Sequence, residues 1–181
     1  MKRVLFIGRF QPFHKAHLIV VKDILKNFDE LIIGIGSSQE KNTLENPFNY
    51  NERKTMISKT LKNNKIKNFK IYPIPDFYDD VKWTNFILNK LPKFNIAYSG
   101  NEWTIRCFRK HKIKAKKIKL IKGINSTRIR KMMLKNENWQ KLVPNEIADY
   151  LKNNKGIEKI KKSMKKLHKA PKLQLQPRLR K

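Results

Sequence analysis

Two histidines three residues apart, His14 and His17, follow Arg9 in the stretch GRFQPFHKAH. Residues i and i+3 at the start of a helix share a face, so both imidazoles can point at one object. With a guanidinium fork beside them and free backbone N–H groups at the helix start, that object is suited to be a phosphate. Far along the chain NSTRIR repeats the logic: Ser126 and Thr127 offer hydroxyls at a helix start, and Arg128 and Arg130 offer two guanidinium groups. A metal fits less well. The histidine spacing lacks the i+4 pair with an interposed Glu, no third ligand is evident, and a single cysteine, Cys107, excludes a thiolate zinc cluster. Each stretch alone could be an ordinary capped helix; their combination makes the case for an anion site.

Such groups must be carried by elements that bring them together. Arg3–Ile7 and Glu30–Ile35 are short, β-branched and nearly continuously apolar, as strands buried on both faces of a parallel sheet are. Between them Leu18, Val21, Leu25 and Phe28 recur at helical spacing. The alternation predicts a helix over 50–63, a strand at 69–74, a helix near 83–91, a strand at 95–99, a helix over 102–110 and a strand near 117–121. Asn49 with Glu52 reads as a capping box. Helices carrying Thr127–Leu134, then over about 144–153 and 156–167, complete the chain. The expected fold is α/β: a Rossmann-like, doubly wound parallel sheet followed by C-terminal helices. Ligands of such sheets sit beyond the carboxyl ends of the strands, where GRFQPFHKAH, GIGSSQEKNTLENPF, PIPDFYDDVKW and YSGNEW all fall.

Length and charge bound the rest. The 181 residues suit one domain, expected over 1–167, and a basic tail over 168–181 whose two prolines and low apolar content predict disorder. No run is long and apolar enough for a membrane span, and no charged leader precedes an apolar segment, so a cytoplasmic protein in a reducing compartment is expected. Lys and Arg total 43 against 14 acids, a formal charge of +29. Eleven basic residues lie between Lys155 and Lys181, against Glu158 alone. This excess admits phosphorylated metabolites, nucleic acid or an anionic membrane as partners, or a solvated lysine surface. Nucleic acid explains the charge but not imidazoles and arginines at strand ends, and is kept as a partner of the basic C-terminal region only.

The sequence resembles the nucleotidyltransferases with H-x-G-H and S-x-T-x-x-R signatures, and within them the archaeal-type nicotinamide-nucleotide adenylyltransferases. GRFQPFH, IGIGSSQ, NPFNYNER, YSGN, W-x-x-L-V-P and KGIEKIK carry the likeness in order and spacing, over about residues 1–167. It implies that ATP and nicotinamide mononucleotide (NMN) give NAD and pyrophosphate, with Mg²⁺ accompanying ATP and no dedicated metal site. His14, His17 and Arg130 would be catalytic. Gly8, Arg9, Phe10, Gly100, Asn101, Ser126 and Thr127 would join them in binding ATP, and Asp76, Asp80 and Trp83 would receive NMN. Trp83 stacked on a cationic pyridinium would contribute ~0.5–2 kcal/mol. The family also implies a homo-oligomer, with a hexamer as one form. Transfer to FMN or phosphopantetheine is the alternative within the class, because only the acceptor pocket differs. Three positions depart from the pattern: Ala16 replaces the glycine of H-x-G-H, Asn125 the first serine of the second signature, and Asp80 an Asn.

Overall fold

A computed structural model describes residues 1–77, 79–119 and 121–169. Five parallel strands form one sheet: β1 (Arg3–Gly8), β2 (Glu30–Ile35), β3 (Phe69–Pro73), β4 (Ile96–Ser99) and β5 (Ala115–Lys117), in the order β3-β2-β1-β4-β5. Helices α1 (Lys15–Ile24), α2 (Tyr50–Asn63), α3 (Asp80–Lys90) and α4 (Glu102–Lys110) make the four crossovers. Beyond β5 come α5 (Ser126–Leu134), a 3₁₀ turn at Trp139–Leu142, α6 (Asn145–Asn153) and α7 (Gly156–Lys169). Among the described residues no helix is long and apolar enough to cross a membrane.

Alternation along the strands divides the interior, since successive side chains leave a strand on opposite faces. Val4 and Phe6 of β1 join Leu31, Ile33 and Ile35 of β2 under α1, α2 and the C-terminal helices. Leu5, Ile7 and Ile32 turn the other way, onto Trp83 and Ile87 of α3 and Cys107 and Phe108 of α4. Both faces are thus covered, which is why β1 and β2 read as continuous apolar runs. The C-terminal helices are part of this packing: Ile147, Leu151 and Ile160 are buried in the larger core. Lys159 of α7 also pairs with Glu52 of α2.

The expected capping box forms, with Glu52 N–H donating to Asn49 Oδ1 at 3.0 Å and Asn49 N–H to Glu52 Oε2 at 2.9 Å. Two elements lie more than two residues from expectation. The last strand is Ala115–Lys117 rather than 117–121, because its ladder ends where β4 ends, at the Ser99–Lys117 pairing. Ile118 and Ile121, apolar enough to suggest a strand, instead line the cleft described below. Helix α3 starts three residues earlier than the apolar pattern indicated, because Asp79 caps it by accepting from Lys82 N–H at 2.8 Å. Of the tail expected over 168–181, residues 170–181 lie outside the described residues.

Candidate active site

The strand order reverses between β1 and β4, and a cleft of about 740 Å³ opens above their carboxyl ends. Its first wall is the loop after β1. Phe10 adopts a left-handed backbone, φ 51°, which folds its ring back under the loop against Phe6, Phe13 and His17. A Cβ on Gly8 would lie 2.9 Å from that ring, so the glycine makes room for Phe10 as well as facing the cleft. Gln11, 1% exposed, exchanges two hydrogen bonds with the Phe48 backbone, at 2.8 and 3.1 Å, and so stitches the NPF stretch to this loop.

His14 caps α1 and His17 sits in its first turn. Their rings stack with centroids 3.6 Å apart and planes 17° apart. The His14 backbone N–H donates to His17 Nδ1 at 3.2 Å. The ring proton of neutral His17 therefore sits on Nε2, which becomes a hydrogen-bond donor. Burial pushes the His14 pKa down to about 4, and burial together with His14 holds His17 well below the usual range. Both imidazoles are thus neutral near pH 7, each with one ring N–H to donate. His14 Nδ1 is a buried polar atom without a hydrogen-bond partner among the described residues. His14 itself lies on the cleft wall. Ala16 lines the same wall, so its methyl group sits where a signature glycine would leave only hydrogen.

The second wall is the start of α5. Asn125 caps it, accepting from Arg128 N–H at 2.8 Å, so the departure from serine preserves the cap. Ser126 Oγ donates to the Pro12 carbonyl at 3.1 Å, and Arg130 Nη1 donates to the Gln11 carbonyl at 2.8 Å. These bonds span more than a hundred residues and join the two phosphate-seeking stretches into one wall. Arg130 is 7% exposed, and burial, then nearby Arg9, lower its pKa to about 10, with Glu45 opposing. Arg128 behaves differently: its Nη1 donates to the Gly123 carbonyl at 2.8 Å, and it is not on the cleft wall. The sequence offered both arginines to a polyphosphate. Residues i and i+2 of a helix face apart, so only one can reach the cleft.

The remaining sequence-derived residues divide. Gly8, Arg9, Phe10, Gly100, Asn101, Ser126 and Thr127 all line the cleft, as do Asp76 and Trp83. Asp80 stands off it: its Oδ1 accepts from the Trp103 indole N–H at 2.9 Å, and Lys110 Nζ lies 3.5 Å from its Oδ2. Trp83 is 2% exposed, packed against Trp103 and Phe108.

Sequence reasoning left Arg53 between a phosphate and Glu52; the structure gives it neither. It is fully buried, donating to the carbonyls of Arg9, Gly36, Ser37 and Asn49 at 2.8–3.2 Å. It thereby fixes the loops after β1 and β2 to the start of α2, and burial lowers its pKa to about 10. Trp103 and Glu45, both on the cleft wall, lie within YSGNEW and GIGSSQEKNTLENPF, stretches that the sequence places at strand ends without singling out these two residues. Among the described residues no group of three His, Cys, Asp or Glu side chains is arranged to hold a metal ion.

The model of the cytidylyltransferase-like family matches residues 5–155. The nicotinamide-nucleotide adenylyltransferase of Pyrococcus furiosus is 37% identical over 89% of this chain and 88% of its own length. That of Methanococcus maripaludis is 40% identical over 91% and 96%. Among solved structures, a bifunctional NMN adenylyltransferase/ADP-ribose pyrophosphatase from Francisella tularensis, complexed with AMP and a manganese ion, superposes with a TM-score of 0.64 at 25% identity. It covers 94% of this chain, which spans 56% of that longer one. With two helix starts hydrogen-bonded into one wall of the cleft at the sheet's switch point, and relatives matching nearly end to end, the chain belongs to the nicotinamide-nucleotide adenylyltransferase family.

Proposed function

We propose that this protein transfers the adenylyl group of ATP to the phosphate of NMN, giving NAD and pyrophosphate. The observation that carries the reading is the joined wall of His14, His17 and Arg130, in which donors converge on one cleft and, among the described residues, no carboxylate forms an ion pair with Arg130. An oxygen of the NMN phosphate forms a bond to the α-phosphorus of ATP as the bond from that phosphorus to the β-phosphate bridge breaks. The attacking group is already an anion at neutral pH, so no general base is needed and the protein's task is positioning and charge stabilisation.

In this reading Arg130 and the hydroxyls of Ser126 and Thr127 hold the β- and γ-phosphates. Nε2–H of His17 donates toward the α-phosphate, where charge accumulates. His14 lies alongside, and Arg9 at the rim draws the anionic substrates in. Mg²⁺ enters as part of the nucleotide substrate, its ligands supplied mainly by phosphate oxygens and water. Gly100 and Asn101, at the end of β4, adjoin the adenosine, while Asp76 and the aromatic side of the cleft adjoin NMN.

The test is to combine the purified protein with ATP, Mg²⁺ and NMN, FMN or phosphopantetheine, one acceptor at a time, and measure pyrophosphate and the dinucleotide. NAD formed with NMN is expected. Pyrophosphate released with FMN or phosphopantetheine and not with NMN overturns the acceptor assignment, and no release with any acceptor overturns the enzymatic reading.

A further inference from the structure

We propose that a groove between α2 and the edge strand β3 binds the phosphodiester backbone of a single-stranded nucleic acid, without preference for base sequence. The proposal stands apart from the adenylyltransferase reading, because no residue that lines this groove lines the cleft above β1 and β4. The charge pattern of the sequence pointed nucleic acid to the C-terminal region; the groove lies outside it.

The sheet ends at β3, and along it α2 and β3 bound a groove of about 720 Å³. Lys54, Ser58 and Lys62 recur every four residues of α2, so they stack on one face at intervals of about 6 Å. Lys67 and Lys70 come from the strand side. All four lysines are exposed, and no carboxylate lines the groove among the described residues. Lys70 Nζ is paired with Glu30 at 3.0 Å, and Lys54 Nζ lies 5.9 Å from the centre of the Tyr50 ring. Lys54, Lys62 and Lys67 form no ion pair among the described residues, so their charge is left to solvent or to an anion.

Ammonium groups in a single row follow one backbone. Lysines are compact point charges without the planar fork that reads a base edge, so they give affinity without sequence preference. Half-buried Phe69 and Tyr72 lie among them, and a basic groove interleaved with aromatic rings is how single strands are held. An acidic peptide added to the sheet edge would meet a poor template. In the β2–β3 ladder the Asn68 carbonyl accepts from Leu31 N–H and Ile74 N–H donates to Ile35, so the backbone groups of Phe69, Ile71 and Pro73 turn outward. The Phe69 N–H is spent on the Lys67 carbonyl at 3.1 Å, Pro73 has no N–H, and the Ile71 carbonyl accepts from the Tyr50 hydroxyl at 3.4 Å. One outward N–H, that of Ile71, is left for an added strand, whereas the charge of the groove is open to phosphates.

The experiment titrates a fluorescent oligouridylate of about ten nucleotides with the unmodified chain, with K54Q/K62Q/K67Q, and with a charge-matched control at exposed lysines elsewhere, K22Q/K90Q/K114Q. Anisotropy is followed at several salt concentrations, with thermal melts as the control for folding. K54Q/K62Q/K67Q should weaken binding at least about tenfold at ~0.1 M salt and flatten the slope of log K against log salt by about 2, since each phosphate contact on a single strand contributes roughly 0.7. The control should weaken it less than about threefold. Saturating ATP should leave the oligonucleotide bound, and a duplex of the same length should lose less on K54Q/K62Q/K67Q than the single strand does. Equal weakening by the two triple variants, or none by K54Q/K62Q/K67Q, overturns the proposal. Displacement by ATP also overturns it by putting the strand in the cleft, and an equal or larger loss for the duplex overturns the single-strand assignment. An oligoglutamate that binds as tightly as the oligonucleotide, and is lost with the same three lysines, makes the occupant an acidic peptide instead. Should the triple variant fail to fold, K62Q/K67Q decides, with an expected weakening of at least about fivefold.

Discussion

Two buried arginines donate to the same loop and do different work. Arg53 and Arg130 are both almost inaccessible, both have pKa values lowered to about 10 chiefly by burial, and both reach carbonyls of the loop after β1, at Arg9 and Gln11. What separates them is the accounting of donors. A guanidinium carries five N–H groups. Arg53 spends four of its N–H···O contacts on protein carbonyls and does not face the cleft. Arg130 makes one short bond, to Gln11, and one long contact, 3.5 Å to Thr127 Oγ1, and it faces the cleft. The first is a clasp that fixes loop positions. The second is a partly unspent cation, which is what an anionic substrate requires. Burial or a depressed pKa alone would not tell them apart.

The sharpest way to break this contrast is to truncate both. R53M leaves the carbonyls of three chain segments without their donor and is expected to cost at least about 3 kcal/mol, read as a large fall in Tm, with activity lost through unfolding. R130M is expected to lower kcat/KM by about 10²–10³ while the melt shifts by no more than about 1 kcal/mol, because one carbonyl loses a partner. If R130M unfolds the chain and R53M only slows it, the donor accounting is wrong.

Acid pH probes the histidine side of the same wall. An unfolded chain protonates His14 as pH falls through about 6.5, whereas the folded chain resists until about 4. The stability held above pH 6.5 should therefore fall by on the order of 3 kcal/mol by pH 4 from this residue. Urea melts at pH 7 and 4.5 should show a smaller decline for H14Q than for the unmodified chain; equal declines would mean that His14 is not held neutral by the fold. The smallest effect is expected from the third arginine: R128A, which loses only an exposed bond to Gly123, should change kcat/KM less than threefold and stability by less than about 0.5 kcal/mol.

The features legible in the sequence are local ones. The pairing of His14 with His17 follows from i, i+3 spacing at a helix start, the Asn49–Glu52 box and the Asn125 cap from residue types within three positions, and the central strands from continuous apolar runs. Each depends on geometry that one turn of backbone imposes whatever surrounds it. The weak edge strand β5 ends before the apolar residues that suggest it, because Ile118 and Ile121 lie beyond the last paired residue, Lys117, and line the cleft, with Ile118 also packed against the larger core.

What the tertiary structure alone decided is the direction and partner of each long polar side chain. Arg53, Arg128 and Arg130 are the same residue type on two helices, yet one clasps three segments, one folds back on its own loop and one faces the cleft. Asp80 is met by an indole 23 residues on, and Arg130 by a carbonyl 119 residues back. A guanidinium or carboxylate satisfies itself with whatever polar group packing brings within about 3 Å, and that set is fixed only when sheet order and helix placement are fixed. The sequence by itself determined the two polar helix starts and the parallel sheet; packing determined which of their side chains were left facing the cleft.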